Sequence, residues 1–522
     1  MKKKRNTFIF IVLSILILFT GKLGYDYYSQ MQENEQLREE EQTQKEKKFA
    51  WDHKFTETQV KEDLEIFKKY VINVFPYSDV NDVDINDEIS KLDKISREND
   101  GLNYLELQTG IEEIVNKYID GHAVVGKAPR DYYSKVMKDK LSSFENRYLP
   151  FNFDFIENKF VATKSDRSGF LEQEYPYITE IQGKTIEEWI RLTSKFYPSG
   201  SSQRNNYRAY RQLRAFDELM VKLGLEPLEK IDVVLESENG EKLEKTYEIS
   251  SEIPEDDLKR IEEAESRIIQ TEKQNIGYLR IAQMRPDTVK PDIEKWMPQF
   301  LDTDALIIDI RNNGGGTRKS YTEFLNYLVN EDEIKIANVA RHKISEDDEM
   351  NERIQSSLNN RMLYKKDSNH FTDKEMRAIE DFEKSFRPEY IVDKNQFSDN
   401  YYMVISKKNK NIPTYQKPVY LLIDEGIFSA ADIFATILKE LDNVTLVGRP
   451  TGGGSSSSST FYLPNSAIPC KMGRMISYKA NGELMDLHGV QPDEYIKVSP
   501  NYYVDESEDE ILNSVIEKII KS

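Results

Sequence analysis

The stretch Val419–Leu441, VYLLIDEGIFSAADIFATILKEL, decides the fold. Its apolar run from Val419 to Ile423 predicts a strand buried on both faces, because no polar residue alternates with the apolar ones. Asp424-Glu425-Gly426 breaks the run. Ser429 then opens a helix in which Ile433, Phe434, Ile437, Leu438 and Leu441 recur at helical spacing. Ser429 has two readings. With Asp432 three residues on, it matches a capping box, a serine at the N-cap and an acid at N3. The same position suits a nucleophile, since the first amides of a helix and its positive dipole end favour a developing anion.

Around this stretch the chain alternates strand and helix. NIGYLRIA, DALIIDI, PVYLLID and VTLVG read as strands, and VKPDIEKWMPQFL, KSYTEFLNYLV and the segment from Ser429 read as helices. Strands separated by helices imply parallel pairing in a sheet covered on its faces. Residues 254–273 read as a charged helical connector, and the charged segment 344–400 as an insertion. Upstream, three amphipathic patterns between Trp51 and Ile119 predict a small helical bundle. Residues 129–253 read as a small β-rich domain containing a hairpin across Asn239-Gly240.

A chain of 522 residues with net charge −20 is too long for one core and too acidic for a nucleic-acid partner. Its one cysteine, Cys470, excludes an internal disulfide and a cysteine-built metal site. The five histidines are scattered without HxxxH or HExxH spacing, so no metal is expected. No GxxxxGK[ST] or GxGxxG follows a strand, which argues against a nucleotide, and no cofactor is expected. At the start, MKKKRNTFIFIVLSILILFTGKLGYDYY has a basic head and a nearly charge-free apolar run from Thr7 to Gly21. That pattern predicts a signal anchor or signal peptide over 1–28, placing the bulk outside the cytoplasm, with a charged linker over 29–50. The reading gives a single-pass cell-membrane protein, or a secreted one if the segment is cleaved. The oligomeric state is not legible.

Three loops follow core strands: DIRNNGGGTRKS, DEGIFSAAD and GRPTGGGSSSSST. Ligands of open parallel sheets bind beyond the carboxyl ends of the strands, so these loops are expected to share one site. Glycines there let a backbone amide approach a substrate oxygen. YIDGHAVVG places His122 just past a helix, and GELMDLHGVQPDEYI places Asp486 and His488 near a turn.

In chain order, Tyr118–His122, Asn275–Ile281, Asp309–Gly316, Glu425–Asp432, Val447–Gly452 and Gly489–Asp493 resemble the tail-specific protease family of serine peptidases. Its members include C-terminal processing peptidases, the tricorn core protease and interphotoreceptor retinoid-binding protein. The resemblance implies an α/β multidomain fold. A crotonase-like ββα spiral core would span 254–502, after a helical domain at 51–128 and a PDZ-like β domain at 129–253. A C-terminal helix at 503–522 would follow. It also implies a serine-type endopeptidase acting on peptides or proteins through an acyl-enzyme on Ser429. The tail-specific branch uses a lysine where this chain has Gly454; Lys471 and Lys479 are nearby but off-motif. The tricorn-like branch uses a histidine from an Asp-Gly-His motif with an acid before Gly-Val-x-Pro-Asp. This chain has His122, and Asp486 where glutamate is usual. The implied roles are therefore Ser429 as nucleophile, His122 as base, Asp486 as its orienting acid, and the amides of Ala430 and Gly315 as oxyanion donors, with Gly314 the nearest rival. The alternative is an inactive relative serving as an extracytoplasmic binding or scaffold module, since a fold does not fix a function.

Overall fold

The computed structural model describes residues 53–126, 147–157, 159–255, 258–504 and 509–522. The expected anchor and charged linker lie outside them. Among the described residues, no helix is long and apolar enough to cross a membrane. At the centre is a six-stranded sheet in the spatial order Arg267–Gln270, Asn275–Arg280, Ala305–Asp309, Val419–Ile423, Val444–Gly448, Glu494–Tyr495. The strands from Asn275 onward pair in parallel. Residues 305–309 and 419–423 are buried at every position, as a sheet covered on both faces requires. Alternate side chains serve different cores. Leu306, Ile308, Leu421 and Ile423 pack with the helices Pro286–Phe300, Thr322–Leu328 and Ala430–Lys439. Ile307, Tyr420 and Leu422 face Tyr502, Val515 and Ile519. The α/β multidomain class expected from the sequence is the class observed.

The connector 254–273 departs from its helical reading. Among its described residues only Lys259–Glu262 is helical, and Arg267–Gln270 pairs antiparallel with Asn275–Tyr278. A free sheet edge offers a row of amides and carbonyls that local charge spacing does not match. Residues 344–400 contribute the helices Asp348–Asn359 and Asp373–Ser385 beside an antiparallel sheet of Tyr364–Lys365, Tyr401–Ser406, Ile334–Arg341 and Ile476–Lys479.

The helices Glu57–Asn73, Ile85–Glu98 and Tyr104–Val115 start at the side-chain caps Thr56, Asp84 and Asn103. They do not form a free-standing bundle. Leu64, Phe67, Ile89 and Ile111 share one core with Cys470, Met472 and Ile476. The short strand Val124–Val125 then pairs with Cys470 and Lys471, which brings the chain after Tyr118 onto the sheet region. Residues 151–248 form a separate sheet, closed by the expected hairpin with Gly240 at φ +82°. The helix Ser202–Arg214 runs between this sheet and the central one; Ser201 Oγ donates to Gly452 O at 2.6 Å.

The loop after Ala305–Asp309 is anchored by a buried ion network. Asp309 accepts from Arg311 Nε at 3.0 Å, Arg311 Nη2 at 2.6 Å and Tyr278 OH at 2.7 Å. Arg311 also donates to both oxygens of Asp509 at 2.8 Å, and Asp509 caps the C-terminal helix Glu510–Lys521. Removing one partner leaves buried charge uncompensated, so Arg311→Met is expected to destabilise the fold by about 3–5 kcal/mol. Urea unfolding of the two proteins measures this; a loss below about 1 kcal/mol would show that the network is dispensable.

Candidate active site

Ser429 occupies the turn between the strand Val419–Ile423 and the helix Ala430–Lys439, at φ 60° and ψ −121°. A non-glycine residue held there costs on the order of 1–3 kcal/mol, so the surrounding structure imposes it. Two zippered loops do so. Asp424 Oδ1 accepts from Asn312 N at 2.8 Å and Gly426 N at 3.1 Å, and Phe428 N donates to Asn313 O at 3.1 Å. The capping-box reading is corrected: the Ser429 hydroxyl makes no cap, and Asp432 instead accepts from Thr451 Oγ1 at 2.5 Å. Asp432 is thus engaged by Thr451, and Ser429 itself is half-buried.

It faces His122. The Nε2–Oγ separation is 3.1 Å across 307 residues of chain. The imidazole stacks on Phe428, with centroids 4.5 Å apart and planes inclined by 28°. Its Nδ1 is buried without a hydrogen-bond partner. Asp486 lies nearby but does not bond the ring. It accepts from Tyr77 OH at 2.6 Å, Gly121 N at 3.3 Å and Ser455 N at 3.4 Å, and so holds the backbone just before His122. Asp120 accepts from His122 N at 3.0 Å and Gly473 N at 2.7 Å. Arg208 donates to Gly121 O at 2.7 Å from the 202–214 helix. Sequence reasoning missed Tyr77, Asp120 and Arg208 as supports of this site. Asp120 was visible in the Asp-Gly-His motif; the other two had no local signal.

Asp120, His122 and Asp486 bring one potential ligand atom each within 4.8 Å of one another. Each carboxylate oxygen already accepts from an amide or from Tyr77, so the group reads as a hydrogen-bonding hub. Burial pushes the Asp120 carboxyl up to about 7, and the charge of Asp486 adds to the shift. Burial also raises Asp486. The His122 imidazole is pushed down to about 3, first by burial and then by the cations Lys471, Arg208, Arg361 and Arg204.

The glycine loop lies against the serine: a Cβ on Gly315 would sit 2.9 Å from Ser429 Cβ and 3.0 Å from Ala430 N. The Gly315 amide, however, donates to Asn313 Oδ1 at 2.9 Å. Among the described residues, no protein acceptor takes the amides of Gly314 or Ala430. Gly454 has φ +123°, and a Cβ there would lie 2.4 Å from the Phe428 ring, so no lysine fits at this position. Lys479 is engaged by Gly489 O and by Glu483 at 2.6 Å. Lys471 is exposed on the strand Pro469–Gly473.

Residues 275–496 match the model of peptidase family S41. An uncharacterized protein of Chlamydia muridarum (strain MoPn / Nigg) is 34% identical over 80 residues, covering 15% of this chain and 13% of that one. A Chlamydia pneumoniae protein is 35% identical over 80 residues with the same coverage. The match thus spans 13% of the length of these curated relatives. The crystal structure of mature CPAF superposes with TM-score 0.63 at 16% identity, covering 89% of this chain and 98% of that one. Mature CPAF complexed with lactacystin gives TM-score 0.60, also at 16% identity, over 89% and 99%. At that identity the likeness shows a shared fold.

The depressed imidazole has a measurable sign. Its charged form is disfavoured, so the ring stays neutral as pH falls through the ordinary histidine range. NMR titration, with His122 assigned by comparison with His122→Gln, is expected to give a midpoint below pH 5. A midpoint near 6.5 would mean that burial and the neighbouring cations do not act on the ring.

Proposed function

We propose that this chain, which belongs to peptidase family S41 through residues 275–496, is a serine endopeptidase working through an acyl-enzyme on Ser429. The observation that carries the reading is the 3.1 Å approach of His122 Nε2 to the hydroxyl of a serine held at φ 60°. In this reading His122 takes the proton of Ser429 Oγ as the oxygen attacks a peptide carbonyl, then delivers it to the leaving amine. Water hydrolyses the resulting ester with His122 again as base, which restores the serine. The oxyanion rests on the amides of Ala430 and Gly314, because Asn313 holds that of Gly315. Asp486 acts through the Gly121 amide and by its charge, steadied by Tyr77. The sheet over 151–248 is assigned as a PDZ-like unit that holds the substrate beside the core.

Cleavage of a mixed peptide library, read by mass spectrometry, tests the roles. Ser429→Ala and His122→Ala are each expected to lower the rate by on the order of 10⁴-fold or more, and Lys479→Ala to leave it within about threefold. Loss with Lys479→Ala but not with His122→Ala would overturn the base assignment. A folded wild type that cleaves nothing would leave the chain as a binding or scaffold module.

The same proposal places the catalytic part outside the cytoplasm, held at the membrane by the apolar run Thr7–Gly21 behind its basic head. Full-length protein is then expected in the salt-resistant membrane fraction, and a chain lacking residues 1–28 in the soluble one. Recovery of the full chain in the soluble fraction would sink the placement, unless its N-terminal sequence shows cleavage.

A further inference from the structure

In a chain of net charge −20, four cations act on His122 from beyond its neighbours Asp120 and Asp486. The cations acting on His122 are Lys471, Arg208, Arg361 and Arg204, and among the described residues none of them forms an ion pair with a carboxylate. Two are accounted for by the protein itself. Arg208 donates to Pro198 O at 2.6 Å and Gly121 O at 2.7 Å, with the buried Asp486 and Asp120 as its nearest countercharges. Arg361 donates to Ser456 O at 3.2 Å and to the Ser357 carbonyl and hydroxyl at 3.0 and 2.8 Å.

The other two are not. The Arg204 guanidinium carbon lies 4.4 Å over the ring of Phe428, the residue before the serine, and 5.0 Å over Tyr207. Its Nε is buried with no hydrogen-bond acceptor. A guanidinium presents five donors, and an aromatic face takes none of them in a directed bond. Lys471 stands in register with Val124, two residues past His122; its side chain is exposed and has no acceptor. Arg204 feels the charge of the buried Asp432 but forms no ion pair with it, and Lys471 forms none; these cations add to the burial that opposes the imidazolium proton transfer must create. A site built this way is completed by an anion that arrives with the ligand.

We propose that the peptide bound at Ser429 carries a carboxylate side chain flanking the scissile bond, received by Lys471 and Arg204, so that acidic polypeptide segments are the substrates. The inference rests on the peptidase reading and deepens it. The carboxylate does two things. It supplies acceptors, and its charge offsets the cations that add to burial in keeping His122 neutral, so acidic peptides gain in turnover as well as in binding.

The test uses the full chain and two dodecapeptide libraries, one with Glu and one with Gln fixed at the central position. Capture on immobilised Ser429→Ala, counted by mass spectrometry, is expected to enrich the Glu library about tenfold, equivalent to 1.4 kcal/mol. Lys471→Gln and Arg204→Gln in that background are each expected to cut the enrichment to about threefold or less, and Lys471→Glu to reverse it. Cleavage by the wild type is expected to show the same preference, lost with the same substitutions. Equal capture of both libraries would overturn the proposal, as would an enrichment unchanged in Lys471→Gln, an exposed position where folding is not at stake. If the wild type cleaves neither library while the Glu preference and its loss in Lys471→Gln hold, the anion site stands and the peptidase reading falls.

Discussion

The Asp486 carboxylate joins three parts of the chain at one point. Tyr77 reaches it from the N-terminal helices, Gly121 from the segment before the imidazole, and Ser455 from the serine-rich loop. A buried carboxylate without donors costs several kcal/mol or takes up a proton, so these contacts hold one another in place. The positions of His122 and of the 453–457 loop both follow from that carboxylate. Its partners are two backbone amides and a phenol rather than the imidazole, and they pack close around the side chain.

The electrostatics around this hub are set by opposition. Two aspartates share a buried space, which pushes Asp120 up to about 7 and keeps its proton within reach of neutral pH. The leading charges acting on the imidazole are cations, and one of them, Arg208, lies beside the same aspartates. The strained Ser429 turn is paid for by the loop zipper from Asn312 to Phe428, which the buried Asp309–Arg311–Asp509 network ties to the C-terminal helix.

Much of this was legible in the sequence where local pattern and burial agree. Val419–Ile423 and Ala305–Asp309 read as strands because covering both sheet faces demands uninterrupted apolar runs. Asn239-Gly240 gave the hairpin because few residues accept positive φ without strain. Reading failed where a partner outside the motif's own spacing took the group. Asp432 sat correctly for a cap, but Thr451, nineteen residues on, took its carboxylate. Gly315 looked like an amide donor until the Asn313 side chain, two residues before it, claimed the hydrogen. Arg267–Gln270 carried a helical charge pattern, but the open sheet edge decided its conformation. Tyr77 lies 409 residues from Asp486, a separation at which no spacing rule operates.

Gly454 sits flush against the Phe428 ring, and that ring is the platform on which His122 lies. The space a basic side chain would enter from 454 is therefore the space that keeps the imidazole in place. Exchanging one base for the other is not a matter of one substitution. A side chain at 454 would require the ring at 428 to shift or shrink, and either change would disturb the face on which His122 stacks. On the proposed mechanism, this glycine and this phenylalanine together leave room for the histidine and none for a basic side chain at 454.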